Sequence, residues 1–304
     1  MDLKTTQAIE KRVVRVLTAI SCRDPPVSVE DVLKYLDLHR GYYDLENPSF
    51  KDDLFHKAKL TLKKVMDVVK KTGLRALWLP DDGKVMLDRN LPKTREKYTT
   101  AHEIGHKLNP HHSHFFAVGD TALTLNPSYH EMLEQEAHFA ASELIFMGGR
   151  FTADALDCAP GFRSVVSLKD VYQNSLTSTL RRFVVYSHEM PMLGIVSRPT
   201  WGIGCASRHE GVEDERCRYF IPNEAFIEQF GNHSADSVLD LVEPQLHAAR
   251  GGTVGEGTVV LNDVNNESAA FVFETFFNQH DLLTLVVYEH AVGVVVPLPR
   301  AMRK

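Results

Sequence analysis

Apolar and polar positions in the N-terminal quarter of the chain repeat with the 3.6-residue period of amphipathic helices. One apolar stripe follows residues 6–20, and a longer one follows residues 52–71, after which Gly73 is placed to end the helix. Between them, Ser28 with an acidic residue three positions later resembles a capping box and predicts a short helix that reaches residue 38. This part of the chain is therefore expected to be helical.

The middle of the chain is expected to hold one hairpin and two longer helices. Short apolar runs at residues 74–79 and 84–87 flank a Pro-Asp-Asp-Gly turn, which is typical of a β-hairpin. Helical periodicity then follows residues 94–108 and 129–147. Residues 110–127 lack any period and are expected to be loop or irregular structure.

Beyond residue 150 the pattern changes twice. Residues 165–186 predict two short helices with a polar turn between them, which fits either a helix-turn-helix-like element or a plain helical lobe. After residue 190 most of the pattern is typical of strands. The predicted strands are residues 194–197, 218–221, 257–261, 269–276, 282–288 and 292–296, and the predicted helices are residues 223–230 and 234–249.

Together these patterns predict an α+β fold class in three segments. Residues 1–150 form a mainly helical domain with a small hairpin, residues 151–188 a helical, helix-turn-helix-like lobe, and residues 189–304 a separate α+β domain.

Composition narrows the class of protein. A net charge of −6 and an isoelectric point near 6.2 give no overall basic footprint for nucleic acid, although a local basic patch stays compatible with them. The N-terminus lacks the blocks of a secretory signal, and no apolar stretch is long enough to span a membrane. The cysteines include no Cys-x-x-Cys pair, so we expect reduced thiols in a cytoplasm; they are Cys22, Cys158, Cys205 and Cys217.

The strongest chemical signal is the motif His102-Glu103-Ile104-Gly105-His106 in the helix predicted at 94–108. Positions i and i+4 of a helix lie about 400° apart around its axis, so both imidazoles project from one face and can share a metal ion. Glu103 lies about 100° from His102, where it can act on water as a general base without being a ligand. The alternative is an exposed helix that merely carries two histidines.

A catalytic zinc ion has three protein ligands and one open position, so a third group must come from elsewhere. The helix predicted at 129–147 offers four glutamates, Glu131, Glu134, Glu136 and Glu143. Glu131 and Glu143 fit a solvated helix face. Glu134 is the preferred ligand, because it follows His106 after a loop and has His138 one turn further on as hydrogen-bonding support. Glu136 is the second choice.

The two helices together resemble the ImmA/IrrE family of zinc metallopeptidases. That family pairs an Ala-His-Glu-[Ile/Leu]-Gly-His helix with a later helix that begins Glu-x-Glu-Ala and continues with a Phe-Ala-Ala run, and both are present here at 101–106 and 134–141. The resemblance implies Glu134 as third ligand and Glu103 as general base. His138 stands where the family has Asn or Asp, and Phe146-Met147-Gly148 replaces a Met-Pro ending, but neither departure touches the implied ligands.

The resemblance covers residues 74–147 and extends more weakly to residue 186. It implies a zincin-like metallopeptidase domain in the first segment. Relatives of the IrrE type add a helix-turn-helix-like lobe and a GAF-like sensor domain, and the C-terminal segment resembles that arrangement in order and length as a GAF- or PAS-like domain. Residues 1–50 have no counterpart in the resemblance.

The function implied by the resemblance is regulated proteolysis in the cytoplasm. The substrate would be a helix-turn-helix transcriptional repressor, the cofactor Zn²⁺ with Mn²⁺ as an alternative in the cell, and the C-terminal segment would respond to a stress or DNA-related signal carried by a small molecule or nucleic acid. The alternative is a non-proteolytic DNA-binding or antirepressor protein with a structural metal site. In it, phosphates would be contacted by Arg181 and Arg182 and by the hydroxyl groups of Ser175, Ser178 and Thr179. A structural zinc site would leave Glu103 without a role.

Three side chains, Tyr98, His112 and His114, are candidates to stabilise an oxyanion beside such a site. His111, His112 and His114 also form a histidine cluster, for which a polar loop is a simpler interpretation than a second metal site. Cys158 could cover the open metal position as a latch, although a plain buried thiol is the simpler expectation.

Overall fold

The computed structural model describes residues 1–43, 76–79, 83–117, 127–199, 201 and 216–292. The chain combines helices with two sheets whose strands pair mainly antiparallel, which is consistent with the predicted α+β class. The chain forms two compact units, Met1–Phe151 with Val171–Asn174, and Thr152–Asp170 with Ser175–Lys304. The division into three segments at residues 150 and 188 stays a prediction. No helix among the described residues is long and apolar enough to cross a membrane.

The first unit is mainly helical. Its elements are α1 (Leu3–Ala19), α2 (Val29–Tyr35), β1 (His39–Tyr43), β2 (Ala76–Leu79), β3 (Lys84–Asp88), α3 (Lys93–Leu108), α4 (Pro110–Ala117), α5 (Pro127–Ile145) and the start of α6 (Gly149–Leu156). Ser28 caps α2 by accepting a hydrogen bond from the backbone N–H of Asp31, as predicted. The helix predicted at 52–71 lies outside the described residues.

The predicted hairpin is present, but it belongs to a larger sheet. β2 pairs antiparallel with β3, and β1 lies parallel to β3 on the other side, which gives the order β1-β3-β2. β1 was not predicted, because its sequence His-Arg-Gly-Tyr-Tyr has one buried side chain and no apolar alternation. The prediction of irregular structure at 110–127 is wrong for Pro110–Ala117, which forms α4.

The second unit contains a five-stranded antiparallel sheet. Its elements are α7 (Phe162–Tyr172, whose last two residues belong to the first unit), α8 (Leu176–Tyr186), β4 (Met192–Ser197), β5 (Cys217–Pro222), α9 (Glu224–Phe230), α10 (Ala235–Val242), β6 (Gly252–Asn262), β7 (Ser268–Phe277) and β8 (Leu282–Ala291). The strand order is β5-β4-β8-β7-β6. Strands were predicted at all five positions, and the sixth prediction, 292–296, falls beyond β8 and outside the described residues except for Val292.

Helices cover this sheet on both faces. On one face Phe226 and Phe230 of α9 pack with Phe271 of β7 in a core that α10 completes. On the other face, side chains of α8 pack against β4 at Gly194, where a Cβ would lie 3.3 Å from Val184. The helix predicted at 234–249 ends at Val242 instead, because Pro244 interrupts it and Glu243–Gln245 continue as one 3₁₀ turn.

Candidate metal centre

Helices α3 and α5 lie unusually close together at one glycine. A Cβ added to Gly105 would lie 2.5 Å from the carbonyl oxygen of Ala137 and 3.1 Å from its Cα, so no larger residue fits without moving a backbone. Glycine inside a helix lowers stability by about 1 kcal/mol relative to alanine. At Gly105, the close packing of α3 against α5 explains why glycine is present. The close approach brings the side chains that flank Gly105 opposite those that flank Ala137.

The three predicted ligands, His102, His106 and Glu134, come together at this approach. The Nε2 atoms of His102 and His106 are 3.2 Å apart. Glu134 places Oε2 at 3.1 Å from Nε2 of His102, and Oε1 at 3.5 Å from Nε2 of His106. The two helix positions four residues apart and the glutamate of the second helix therefore face one point.

This spacing fits a metal ion. Zinc ligands lie at about 2.0–2.2 Å from the ion, so two tetrahedral nitrogen or oxygen ligands are separated by about 3.4 Å. The observed separations of 3.1 to 3.5 Å bracket that value. The Glu134 side chain is 36% exposed while His106 is 4% exposed, so the group is most open to solvent at the glutamate. Two histidines and one carboxylate suit zinc and do not exclude manganese.

The charges of the group are strongly coupled. Burial raises the pKa of Glu134, but a hydrogen bond from His102 and the neighbouring imidazoles outweigh burial and hold this pKa at about 2. Burial together with the charge of His102 lowers the pKa of His106 to about 3. His102 responds in the opposite way, since contacts with Glu134 and Glu103 overcome burial and raise its pKa. The site thus concentrates negative charge from Glu134 where a cation would sit.

Glu103 is buried and interacts electrostatically with two of the three ligand residues, His102 and Glu134. Burial raises the pKa of Glu103 to about 7, although the charge of His102 and a hydrogen bond from the backbone of Trp78 oppose the rise. Trp78 belongs to β2, so a strand of the hairpin contacts this carboxyl group. A carboxyl group with a pKa near neutrality is suited to exchange protons at physiological pH.

Tyr98 and His138, which were predicted to assist the site, contact each other near the motif. Tyr98 hydrogen-bonds Nδ1 of His138 at 3.0 Å, and the His138 ring packs 4.3 Å from that of His102 without a hydrogen bond to it. His138 therefore gives His102 ring packing and not the expected hydrogen bond to a ligand. The side chain of His114 lies outside the described residues.

Glu136 is directed to a different place. It lies with His111 and His112 in a second group of three metal-ligating side chains. His112 is fully buried and contacts both His106 and Glu136, which leaves it no donor for a substrate oxyanion. The sequence carried a signal for this group, the adjacent His-His pair after the helix and the second glutamate of Glu-x-Glu.

The N-terminal helix α1 also supports the motif helix α3. Arg12 of α1 donates a 2.7 Å hydrogen bond to the side-chain oxygen of Asn109, and Asn109 donates to the carbonyl oxygen of Gly105 at 3.0 Å. These two hydrogen bonds anchor the end of α3 to α1. Sequence analysis missed it, because polar contacts between distant segments leave no periodic signal.

The residues considered for the alternative functions are mostly engaged elsewhere. Arg182 is 4% exposed, with its guanidinium 4.2 Å from the Tyr186 ring, and Thr179 is fully buried. Arg181 lies over the ring of Tyr219 at 5.5 Å. The thiol of Cys158 donates a hydrogen bond to the carbonyl oxygen of Asp154, which fits a structural thiol.

No protein-family model and no curated protein sequence matches the chain. Among solved structures, the chain is similar to a Mycobacterium tuberculosis transcriptional regulator, with a TM-score of 0.48 and 8% identity over 93% of this chain and 88% of that one. So distant a likeness carries no argument about chemistry. The interpretation of the site rests on its own geometry.

Proposed function

We propose that the protein is a zinc-dependent, site-specific regulatory protease of the cytoplasm, which cleaves a helix-turn-helix transcriptional repressor in response to a stress or DNA-related signal. One observation carries the proposal. The ligand atoms of His102, His106 and Glu134 stand at metal-ligand spacing, and the buried carboxyl group of Glu103 interacts electrostatically with His102 and Glu134. A general base adjoining a three-ligand site is the arrangement of zinc hydrolases.

The chemistry divides between the cofactor and the chain. Zinc bound by the three side chains would supply Lewis acidity towards a peptide carbonyl and towards water. Glu103, with its pKa near 7, is suited to accept a proton from the attacking water and to deliver it to the leaving amine. The Trp78 backbone contact holds the Glu103 carboxyl group in place during both transfers.

The folds of the two units support finer assignments, which belong to the same proposal. In the first unit, the contact between β2 and the motif helix α3 supports a zincin-like metallopeptidase domain. In the second unit, an antiparallel sheet with two helices inserted between its second and third strands supports a GAF- or PAS-like sensor domain. A small molecule or a nucleic acid would act as activator there.

The non-proteolytic alternative has less support. A structural zinc site is usually closed by four protein ligands, whereas Glu134 leaves this group open on one side. The phosphate contacts that a DNA-binding role would need are also weakened, because Arg182 and Thr179 of α8 are buried. The alternative differs in one expected result: an antirepressor would relieve repression without the carboxyl group of Glu103.

The test compares the zinc-loaded protein with the Glu103→Gln variant in lysates of the source cell. Newly formed protein N-termini are labelled and identified by mass spectrometry. We expect new termini from one helix-turn-helix repressor with the unmodified protein and none with the variant, while zinc content stays at one ion per chain in both. If the variant produced the same termini, the general-base role would be refuted. If it relieved repression in cells without cleavage, the antirepressor function would replace the proposal.

A further inference from the structure

A second group of two histidines and one glutamate adjoins the first. His111 and His112 of α4 both approach Glu136 of α5, with Nε2 to Oε2 distances of 2.7 Å and 3.1 Å. The separations alone would suit a second metal ion. A contact between His112 and His106 argues against a second metal ion, because His106 is a ligand of the first group.

The contact joins two ring nitrogens. Nδ1 of His106 and Nδ1 of His112 are 2.9 Å apart, and both side chains are buried. A hydrogen bond at this distance requires a hydrogen on one nitrogen and a lone pair on the other. The positions of these hydrogens follow from which nitrogen of His106 faces the metal centre.

Nε2 of His106 faces His102 and Glu134, so a metal ion held there would use the Nε2 lone pair. The neutral His106 ring then carries its hydrogen on Nδ1 and donates it to Nδ1 of His112. His112 must accept at Nδ1, and therefore carries its own hydrogen on Nε2. That hydrogen points to Oε2 of Glu136, a carboxylate that only accepts. In each hydrogen bond from His106 through His112 to Glu136, the donor and the acceptor are thus fixed.

A metal ion bound by His112 would reverse this order. It would occupy Nε2 of His112 and put the ring hydrogen on Nδ1, facing the Nδ1 hydrogen of His106 at 2.9 Å. Two donors cannot share that contact, so both groups cannot hold a metal in this geometry. The second group is therefore compatible with the metal centre only as its hydrogen-bonded support.

We propose that His112 and Glu136 are positioning residues, which fix the tautomer and ring orientation of His106 and do not bind a second metal ion. The inference rests on the metal centre of the proposed function and goes beyond it. Carboxylate partners of metal-bound histidines raise ligand basicity, and removing such partners typically weakens metal binding by about 10–100-fold. Here the carboxylate would act through an intervening imidazole.

The experiment measures zinc affinity of the full chain by chelator competition, with metal stoichiometry determined in parallel. His112→Phe removes the acceptor, and His111→Phe is its matched control, since His111 contacts Glu136 as well and is 41% exposed. We expect about a 10–100-fold loss for His112→Phe and less than about threefold for His111→Phe, as is usual for exposed substitutions. His112→Asn, whose side-chain oxygen replaces the Nδ1 acceptor, should recover most of the loss.

A second measurement needs no substitution. Nitrogen-15 correlation spectra of the zinc-bound protein should show the hydrogen of His106 on Nδ1 and that of His112 on Nε2. Two metal ions per chain, equal losses in both Phe variants, or a His112 hydrogen on Nδ1 would overturn the inference. A chain that bound no zinc would overturn the metal centre itself, which separates failure of the proposed function from failure of this inference alone.

Discussion

Two groups of the same composition, each with two histidines and one glutamate, lie next to one another on helices α3, α4 and α5 and differ in exposure and connection. In the first, His102, His106 and Glu134 direct three ligand atoms to one point and leave the glutamate 36% exposed. In the second, Glu136 is 5% exposed and His112 is fully buried, while His111 is 41% exposed. The difference shows that residue type alone does not define a metal site. In the proposal made above, the deciding difference is the hydrogen bond between His112 and His106, because each group has one partly exposed member.

The largest expected effect is a difference in zinc affinity between a variant of Glu134 and a variant of Glu136. Glu134→Ala removes a ligand and should weaken zinc binding by more than about 100-fold, whereas Glu136→Ala removes only outer support and should weaken it by about 10–100-fold. Calorimetric titration of both variants with zinc measures the difference. A greater loss in Glu136→Ala would reverse the roles of the two groups.

A smaller effect is expected where the helices meet. In Gly105→Ala the new Cβ would lie 2.5 Å from the Ala137 carbonyl oxygen, so α3 and α5 must separate. Overpacking of this kind costs about 1–3 kcal/mol of unfolding free energy, and zinc affinity should fall as Glu134 moves away.

Gly149→Ala is the matched control for Gly105→Ala, because nothing lies within 4 Å of a Cβ at Gly149. Urea denaturation of both variants gives the unfolding free energies. Equal stabilities would show that the close approach at Gly105 does not constrain the helix pair.

The last predicted effect is the response of the metal-free protein to acid. Burial lowers the pKa of His106 to about 3 and that of His112 to about 4, both from 6.5, so below pH 6.5 the unfolded chain binds two protons that the folded protein does not. Glu103 opposes this with one proton, because its pKa is raised from 4.5 to about 7 in the folded protein. The pKa values of His138 and His188 are lowered by burial as well, so the balance is at least one net proton. The free energy of unfolding should therefore fall by about 1.4 kcal/mol or more per pH unit as pH decreases from 6.5 to 4.5.

Below pH 4.5 the fall should steepen, since the Glu103 contribution is then complete and Glu134, with its pKa lowered to about 2, adds to the loss. Chemical denaturation of the metal-free protein at pH 7, 6, 5 and 4 measures this dependence. Excess zinc at pH 7 should stabilise the protein, and that gain should fade in acid as the ligands protonate. Stability that stayed constant or rose towards pH 5 would contradict the assigned burial of His106 and His112.

Much of the fold was accessible from the sequence where local patterns dominate. The helix around His102, the hairpin before it and the five strands of the second unit follow from periodicity, turn residues and capping residues such as Ser28. The prediction was wrong at α4, whose polar sequence has no apolar stripe, and too long after Val242, where Pro244 ends the helix. β1 was missed because its pairing partner β3 lies more than 40 positions away in the chain.

The sequence alone determined which residues can carry chemistry, since helical spacing puts His102 and His106 on one face whatever surrounds them. It could not decide between Glu134 and Glu136 from spacing, nor assign a role to His112. The resemblance already favoured Glu134, and the tertiary structure gives the physical separation of these residues. The close approach at Gly105 sets the register of α5 against α3, and neighbouring positions of α5 then face different sides of the motif helix, one towards solvent and one towards the buried ring of His112.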